Sequence, residues 1–177
     1  MSRGRWGVRL GGAALLVTRL GAQAFNPPAV HRTEPTGTRL GLFGFGVRGG
    51  ADLVSSGQLA FGMTLDAGNL ALARLRLRPS AEFGFTNGAN TYNGSLEAVY
   101  RFQEDGAALV PYAGAGLAVR GHADCGSDPQ CPTLWVNAVL GVEVRYRPAF
   151  NWLVEYHGLD LFRHGRLYLG LTTRRGG

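Results

Sequence analysis

Along most of the chain, apolar and polar residues alternate with a period of two. The clearest case is Ala73 to Phe85, ARLRLRPSAEFGF. One set of alternate positions holds Leu75, Leu77, Pro79, Ala81, Phe83 and Phe85; the other holds Arg74, Arg76, Arg78, Ser80, Glu82 and Gly84. Successive side chains of a strand point to opposite faces, so this spacing makes a two-faced β-strand. A helix would scatter the same arginines around its circumference.

Seven further segments read the same way. The first, Arg39 to Arg48, sets Phe43, Phe45 and Val47 against Gly44, Gly46 and Arg48. The second, Gln58 to Asp66, sets Leu59, Phe61, Met63 and Leu65 against Ala60, Gly62, Thr64 and Asp66. The fourth, Thr91 to Phe102, opposes Tyr92, Leu96, Ala98, Tyr100 and Phe102 to Asn93, Ser95, Glu97 and Arg101. In the fifth, Leu109 to Arg120, an apolar row from Pro111 to Val119 faces away from Tyr112, Gly114, Gly116 and Arg120. The sixth, Leu134 to Arg147, separates Leu134, Val136, Leu140, Val142 and Val144 from Asn137, Gly141, Glu143, Arg145 and Arg147. The seventh separates Phe150, Trp152, Val154 and Tyr156 from Asn151, Glu155 and His157, and the eighth Leu167, Leu169 and Leu171 from Arg166, Tyr168, Gly170, Thr172 and Arg174.

The connections alternate in kind. Asp66-Ala67-Gly68-Asn69, Glu104-Asp105-Gly106 and Arg147-Pro148-Ala149 read as tight turns. Longer links lie between them, at Gly49 to Gly57, Thr86 to Thr91, Gly121 to Thr133 and Gly158 to Gly165. Tight turns at one end and longer loops at the other describe an up-and-down membrane barrel. Two features favour that over a soluble sandwich or lipocalin-like barrel. The polar face is never apolar enough to make a core, and the apolar face carries aromatics near strand ends, where lipid interfaces lie. The pattern therefore predicts an all-β fold: an eight-stranded antiparallel up-and-down transmembrane β-barrel over residues 38–175.

Composition changes the picture mainly at the amino terminus. Arg3, Arg5 and Arg9 form a basic region, Leu10 to Val17 an apolar core, and Ala22-Gln23-Ala24 a cleavage site. Residues 1–24 thus read as a secretory signal peptide, too short in apolar length for a spanning helix, which needs about 20 residues. Residues 25–37, with three prolines, read as an amino-terminal tail beginning at Phe25. All 18 basic residues are arginine, and the formal charge is +6. Four arginines precede residue 25 while all 12 acids follow it, so the mature chain carries 14 arginines against 12 acids, or +2. That removes the main support for a nucleic-acid partner.

With its signal sequence, strand pattern and turn alternation, the chain resembles the small outer-membrane barrels of the OmpA-like and opacity-protein group. PYAGAGLAVR (Pro111 to Arg120) resembles that group's fifth strand, and GRLYLGLTTR (Gly165 to Arg174) its last. The resemblance implies an outer-membrane location in a Gram-negative-type bacterium, contact with outer-membrane lipid and lipopolysaccharide, assembly by the barrel-assembly machinery, and a monomer. Two departures stand out. The family's last strand commonly ends in an aromatic residue where this chain has Thr173-Arg174-Arg175-Gly176-Gly177, and the peptidoglycan-binding domain of larger relatives is not expected here.

Candidate chemistry is sparse. Cys125 and Cys131 flank Gly126 to Gln130 in the longest loop, which after secretion reads as a disulfide worth roughly 2 kcal/mol and local to the loop. A metal site using His122, Asp124 or Asp128 is the sharper alternative, but structural zinc prefers tighter Cys spacing and a second ligand pair. The glycines of Gly41 to Gly46 and of Gly114-Ala115-Gly116 open no helix, so a phosphate loop is not expected. His157, Glu155, His164 and Asp160 invite comparison with outer-membrane lipid A deacylases. That family's histidine is followed two residues later by serine, whereas Leu159 follows His157 here.

The polar face supplies the remaining candidates. Arg74, Arg76, Arg78, Glu82, Glu97, Arg101, Glu143, Arg145 and Glu155 are expected to form a charge network inside the lumen, with Arg48, Arg120, Arg147 and Arg166 beside them. The expectation is a non-enzymatic envelope protein without cofactor or metal, its lumen packed and its loops acting at the surface. A lipid-modifying enzyme is the alternative, and a small solute pore the third reading.

Overall fold

The computed structural model describes residues 37–53, 57–85, 90–104 and 106–173. The expected signal peptide, nearly all of the tail from Phe25, and the end from Arg174 to Gly177 lie outside the described residues. The strands are β1 Arg39–Asp52, β2 Leu59–Asn69, β3 Leu75–Phe85, β4 Thr91–Arg101, β5 Leu109–His122, β6 Thr133–Arg145, β7 Phe150–Leu159 and β8 His164–Thr173. Each pairs antiparallel with the next, and β1 pairs back onto β8 to close the barrel. The fold is an up-and-down, eight-stranded β-barrel. Strands of 10 to 14 residues suffice to cross a hydrocarbon layer, where about 9–11 tilted residues serve. Closure pairs the strand edges that an apolar medium could not solvate.

Side-chain polarity is inverted relative to a water-soluble protein. Outward-facing Val47, Phe61, Leu96, Leu117, Leu140 and Leu169 are between 50% and 60% exposed. Inward-facing Arg48, Glu82, Glu97, Glu155 and Arg166 are at most 3% exposed. The hydrophobic effect drives apolar surface out of water, so this arrangement is stable only where something apolar covers the outside. Among the described residues, Val99, Tyr112, Val139 and Leu153 cluster as a small apolar layer within the lumen. Exposed aromatics mark both rims of the outer wall. Phe83, Phe85 and Tyr92 lie toward the loop end, and Tyr100, Phe102, Tyr146, Phe150 and Trp152 toward the turn end.

The sequence placed every strand face correctly, but several boundaries move. β1 runs on through Gly49 and Gly50 to Asp52, because both glycines pair in the ladders on either side. β2 continues through Asp66 to Asn69, which the sequence assigned to a turn, and the true turn is 70–74. The cause is an irregularity in the pairing on both sides of that segment. Gly68 adopts φ 113°, open to glycine and strained for other residues, and its N–H donates to Asp66 Oδ1 at 3.0 Å. β7 and β8 likewise extend inward, so their link shrinks from Gly158–Gly165 to 160–163. The length contrast between the two ends is therefore weaker than the sequence suggested, with the 123–132 loop the longest link.

Glycines on the lumen face leave room for neighbouring charged side chains. A Cβ at Gly116 would meet Glu97 Cα at 2.7 Å and Cγ at 2.9 Å. Gly116→Val is accordingly expected to lower stability by about 1–3 kcal/mol, as overpacking does. The same change at outward-facing Ala115 should be nearly silent. Urea unfolding of the two variants in detergent checks the pair; equal effects would contradict the assignment of faces.

Candidate functional site

The lumen holds Arg48, Arg76, Arg78, Arg101, Arg120 and Arg166, facing Asp52, Asp66, Glu82, Glu97, Glu143 and Glu155. Among the described residues these charges match in number, six of each sign. At the centre, Glu155 on β7 takes a hydrogen bond from Arg48 Nη1 at 2.5 Å and one from the Tyr112 hydroxyl at 2.5 Å, and pairs with Arg78. Arg78 stands on β3, four strands away on the opposite wall, so this pair crosses the barrel. Arg78 also donates to Glu97 at 3.2 Å. Arg48 pairs with Glu82 and donates to Ser80 at 3.1 Å.

His157 fits into the same cluster. Its Nε2 lies 3.0 Å from Arg48 Nη1 and 3.3 Å from Glu155 Oε2, and its ring meets Tyr168 edge-on at 4.9 Å. The Tyr168 hydroxyl donates to Glu82 at 2.6 Å. Above this centre Arg166 pairs with Asp52 and, at 3.3 Å, with Glu82. Below it, Arg101 grips Glu143 through two bonds of 3.0 Å, and Asn151 donates to the same carboxylate at 3.0 Å. Arg76 lies 3.5 Å from Asp66. Bidentate and charge-assisted bonds of this kind are the stronger class, and burial raises the cost of losing either partner.

Most of the expected network residues meet: Arg76, Arg78, Glu82, Glu97, Arg101, Glu143 and Glu155 all point inward. Two need correction. Arg74 lies in the 70–74 turn, partly exposed and 3.9 Å from Glu104, because β3 begins one residue later. Arg145 ends β6 at the rim, exposed, and donates to the Gly106 carbonyl. Arg147, expected beside the lumen, is exposed in the turn, its guanidinium 5.2 Å from the Tyr146 ring centre. Alternation alone leaves Arg74, Arg76 or Arg78 as the partner of Glu97 across the β3–β4 ladder; the register sets Arg78 opposite Glu97 and Arg76 opposite Val99. Asp52, Gln58 and the roles of Tyr112, Tyr168 and His157 went unnoticed. The two tyrosines did carry a signal, since each interrupts the polar side of its strand.

In the 123–132 loop, Cys125 and Cys131 are joined as a disulfide. His122 clusters with both sulfurs, but the bond between them leaves no thiolate to bind a metal. His122 Nε2 instead approaches Asp128 at 3.3 Å. The Gln130 backbone N–H, and next the His122 side chain, hold the Asp128 carboxyl below the usual carboxylate range. Replacing both cysteines by serine should leave the barrel folded, since the bridge closes only this loop. Thiol alkylation of the native protein should label these positions only after reduction; labelling beforehand would overturn the bridge.

Solved structures share this fold. The N-terminal β-barrel domain of Pseudomonas aeruginosa OprF aligns over 75% of this chain and 98% of its own, at 20% identity and TM-score 0.56. Neisserial surface protein A aligns over 74% of this chain and 94% of its own, at 13% identity and TM-score 0.52. The fold is that of the small OmpA-like β-barrels. Likeness at these identities speaks to fold alone. The outer membrane enzyme PagL aligns more loosely, at 16% identity and TM-score 0.44 over 75% of this chain and 98% of its own, and nothing about activity follows from it. No family model and no curated protein matches the sequence.

Proposed function

We propose that this chain is a small outer-membrane β-barrel whose lumen is a packed polar plug, and that it serves the envelope as a structural or surface-interaction protein through its loop end. The observation that carries the reading is the inverted polarity: a half-exposed apolar wall outside and a charge-matched interior within. The Arg78–Glu155 pair across the lumen favours a plug over a pore. So does the size of the cavity at the turn end beside Arg76 and Glu143, about 40 Å³, room for a few water molecules.

Lipid and lipopolysaccharide would contact the outer wall, the barrel-assembly machinery would insert it, and the working unit would be a monomer. An outer-leaflet lipid-modifying activity has little to build on. His157 is 1% exposed and faces the lumen, where a lipid packed against the outer wall does not reach it. Cell fractionation tests the location, and purified protein incubated with lipopolysaccharide and read by mass spectrometry tests the activity. The expected result is protein in the outer membrane and unaltered lipid. Protein wholly soluble in the periplasm would sink the barrel reading, and trimmed acyl chains would sink the non-enzymatic one.

A further inference from the structure

The charges in the lumen match in number, yet one arginine is left out of the pairing. Among the described residues, Arg120 on β5 has no carboxylate within ion-pair distance; Arg166 takes both Asp52 and Glu82. Arg120 instead lays its guanidinium 4.5 Å from the ring centre of Trp135. Trp135 in turn stacks on His164 at 5.2 Å, nearly parallel at 7°. All three sit on inward positions just inside the loop-end rim. A guanidinium held face-on against a ring keeps its in-plane N–H donors available for another partner.

Those donors already converge with a second cation. Arg120 Nη2 reaches Gln58 Oε1 at 3.5 Å, and Arg166 Nη2 donates to the same oxygen at 2.9 Å. Gln58 is fixed from behind, its Nε2 donating to the Thr91 hydroxyl at 2.7 Å. Gln58 and Arg166 are 1% and 3% exposed, so this is a built, buried wall and not a loose surface. Arg166 has its two carboxylates, but Arg120 meets only this neutral oxygen and a ring, where a guanidinium ordinarily finds a carboxylate or phosphate. One step deeper on β6, Asn137 is 1% exposed and neither its Oδ1 nor its Nδ2 has a hydrogen-bond partner. A buried amide with both ends unsatisfied is uncommon.

We propose that the loop-end mouth of the barrel is a binding site for the oxyanion, phosphate or carboxylate, of a soluble small molecule. Arg120 receives the anion, Arg166 and Gln58 form the wall behind it, and Trp135 and His164 hold Arg120 in place. The inward facing of Arg120 selects a soluble source over a lipid one, because headgroups gather against the outer wall. The site goes beyond the envelope role and needs only a folded barrel to be tested.

Trp135 reports directly on Arg120, so fluorescence in a Trp6→Phe, Trp152→Phe background reads the site. Inorganic phosphate and glucuronate are titrated separately into detergent-folded protein, and vesicles bearing phosphatidylglycerol form a third arm. The expected result is a saturable change with at least one soluble anion, weakened about tenfold or more in Arg120→Gln, as loss of a charge-assisted bond implies. Arg120→Lys should bind at an intermediate level, and Arg163→Gln, at an exposed loop arginine, should bind as the parent does. The mobility difference between unheated and boiled samples on SDS gels confirms that each variant is folded. Undiminished binding by folded Arg120→Gln, no saturable change with either soluble anion, or a response only to the lipid vesicles would each overturn the proposal.

Discussion

Glu155→Gln is expected to lower the stability of the folded barrel by about 3–5 kcal/mol, the range for removing one partner of a buried ion pair. The size follows from what the carboxylate holds. Arg48 and Arg78 both pair with it, and Tyr112 donates to it. Glutamine keeps the shape but leaves two guanidinium groups buried without that charge. Glu97 and Glu82 remain to compensate in part, so the loss should not exceed that range. A double-mutant cycle separates pairing from packing. Arg78→Leu alone strands Glu97 and Glu155, whereas Arg78→Leu with Glu97→Leu removes a facing pair and should cost less than the two single changes together. Urea unfolding in detergent gives each value. A Glu155→Gln variant within about 0.5 kcal/mol of the parent, the range of ordinary surface changes, would show that the network contributes nothing.

Leu96→Arg is expected to cost about 2–4 kcal/mol in a bilayer, the penalty for arginine on a barrel's lipid face near the midplane. Leu96 is 52% exposed on the outer wall of β4, between Pro79 and Leu117 on the neighbouring strands. In water the same change would be mild, since the site is already open. That contrast makes the experiment informative: folding into vesicles should suffer clearly. The same substitution at Tyr92, at the loop-end rim, should cost about 0–1 kcal/mol because arginine there reaches the interface. Equal costs at the two depths would argue against a lipid-facing wall.

The facing of every strand was legible in the sequence because alternation is a strictly local property. Leu75, Leu77 and Phe83 had only to differ from their immediate neighbours. Register was not legible. It is set by how many residues each link uses, and shifting the 86–90 link moves Glu97 from Arg76 to Arg78. The ends were hard for a similar reason. Gly49, Gly50 and Gly68 look like turn residues, yet two of them sit in regular ladders and the third in an irregular one. Asp52 was lost with that boundary. The central cluster depends on closure itself, since Arg78 and Glu155 meet only because the wall curves through half a turn. No pattern along one strand carries that information.

The tryptophans offer the most direct test of the inside-out arrangement. Trp152 is 47% exposed on the outer wall near the turn end, whereas Trp135 faces the lumen against Arg120. The chain has three tryptophans, so with Trp6→Phe in place each of these two can be left as the sole fluorophore. The measurement is quenching by bromine-labelled acyl chains in vesicles. The account expects strong quenching of Trp152 in the Trp135→Phe protein and weak quenching of Trp135 in the Trp152→Phe protein. Strong quenching of Trp135 with Trp152 untouched would mean that the barrel's inside and outside are assigned backwards.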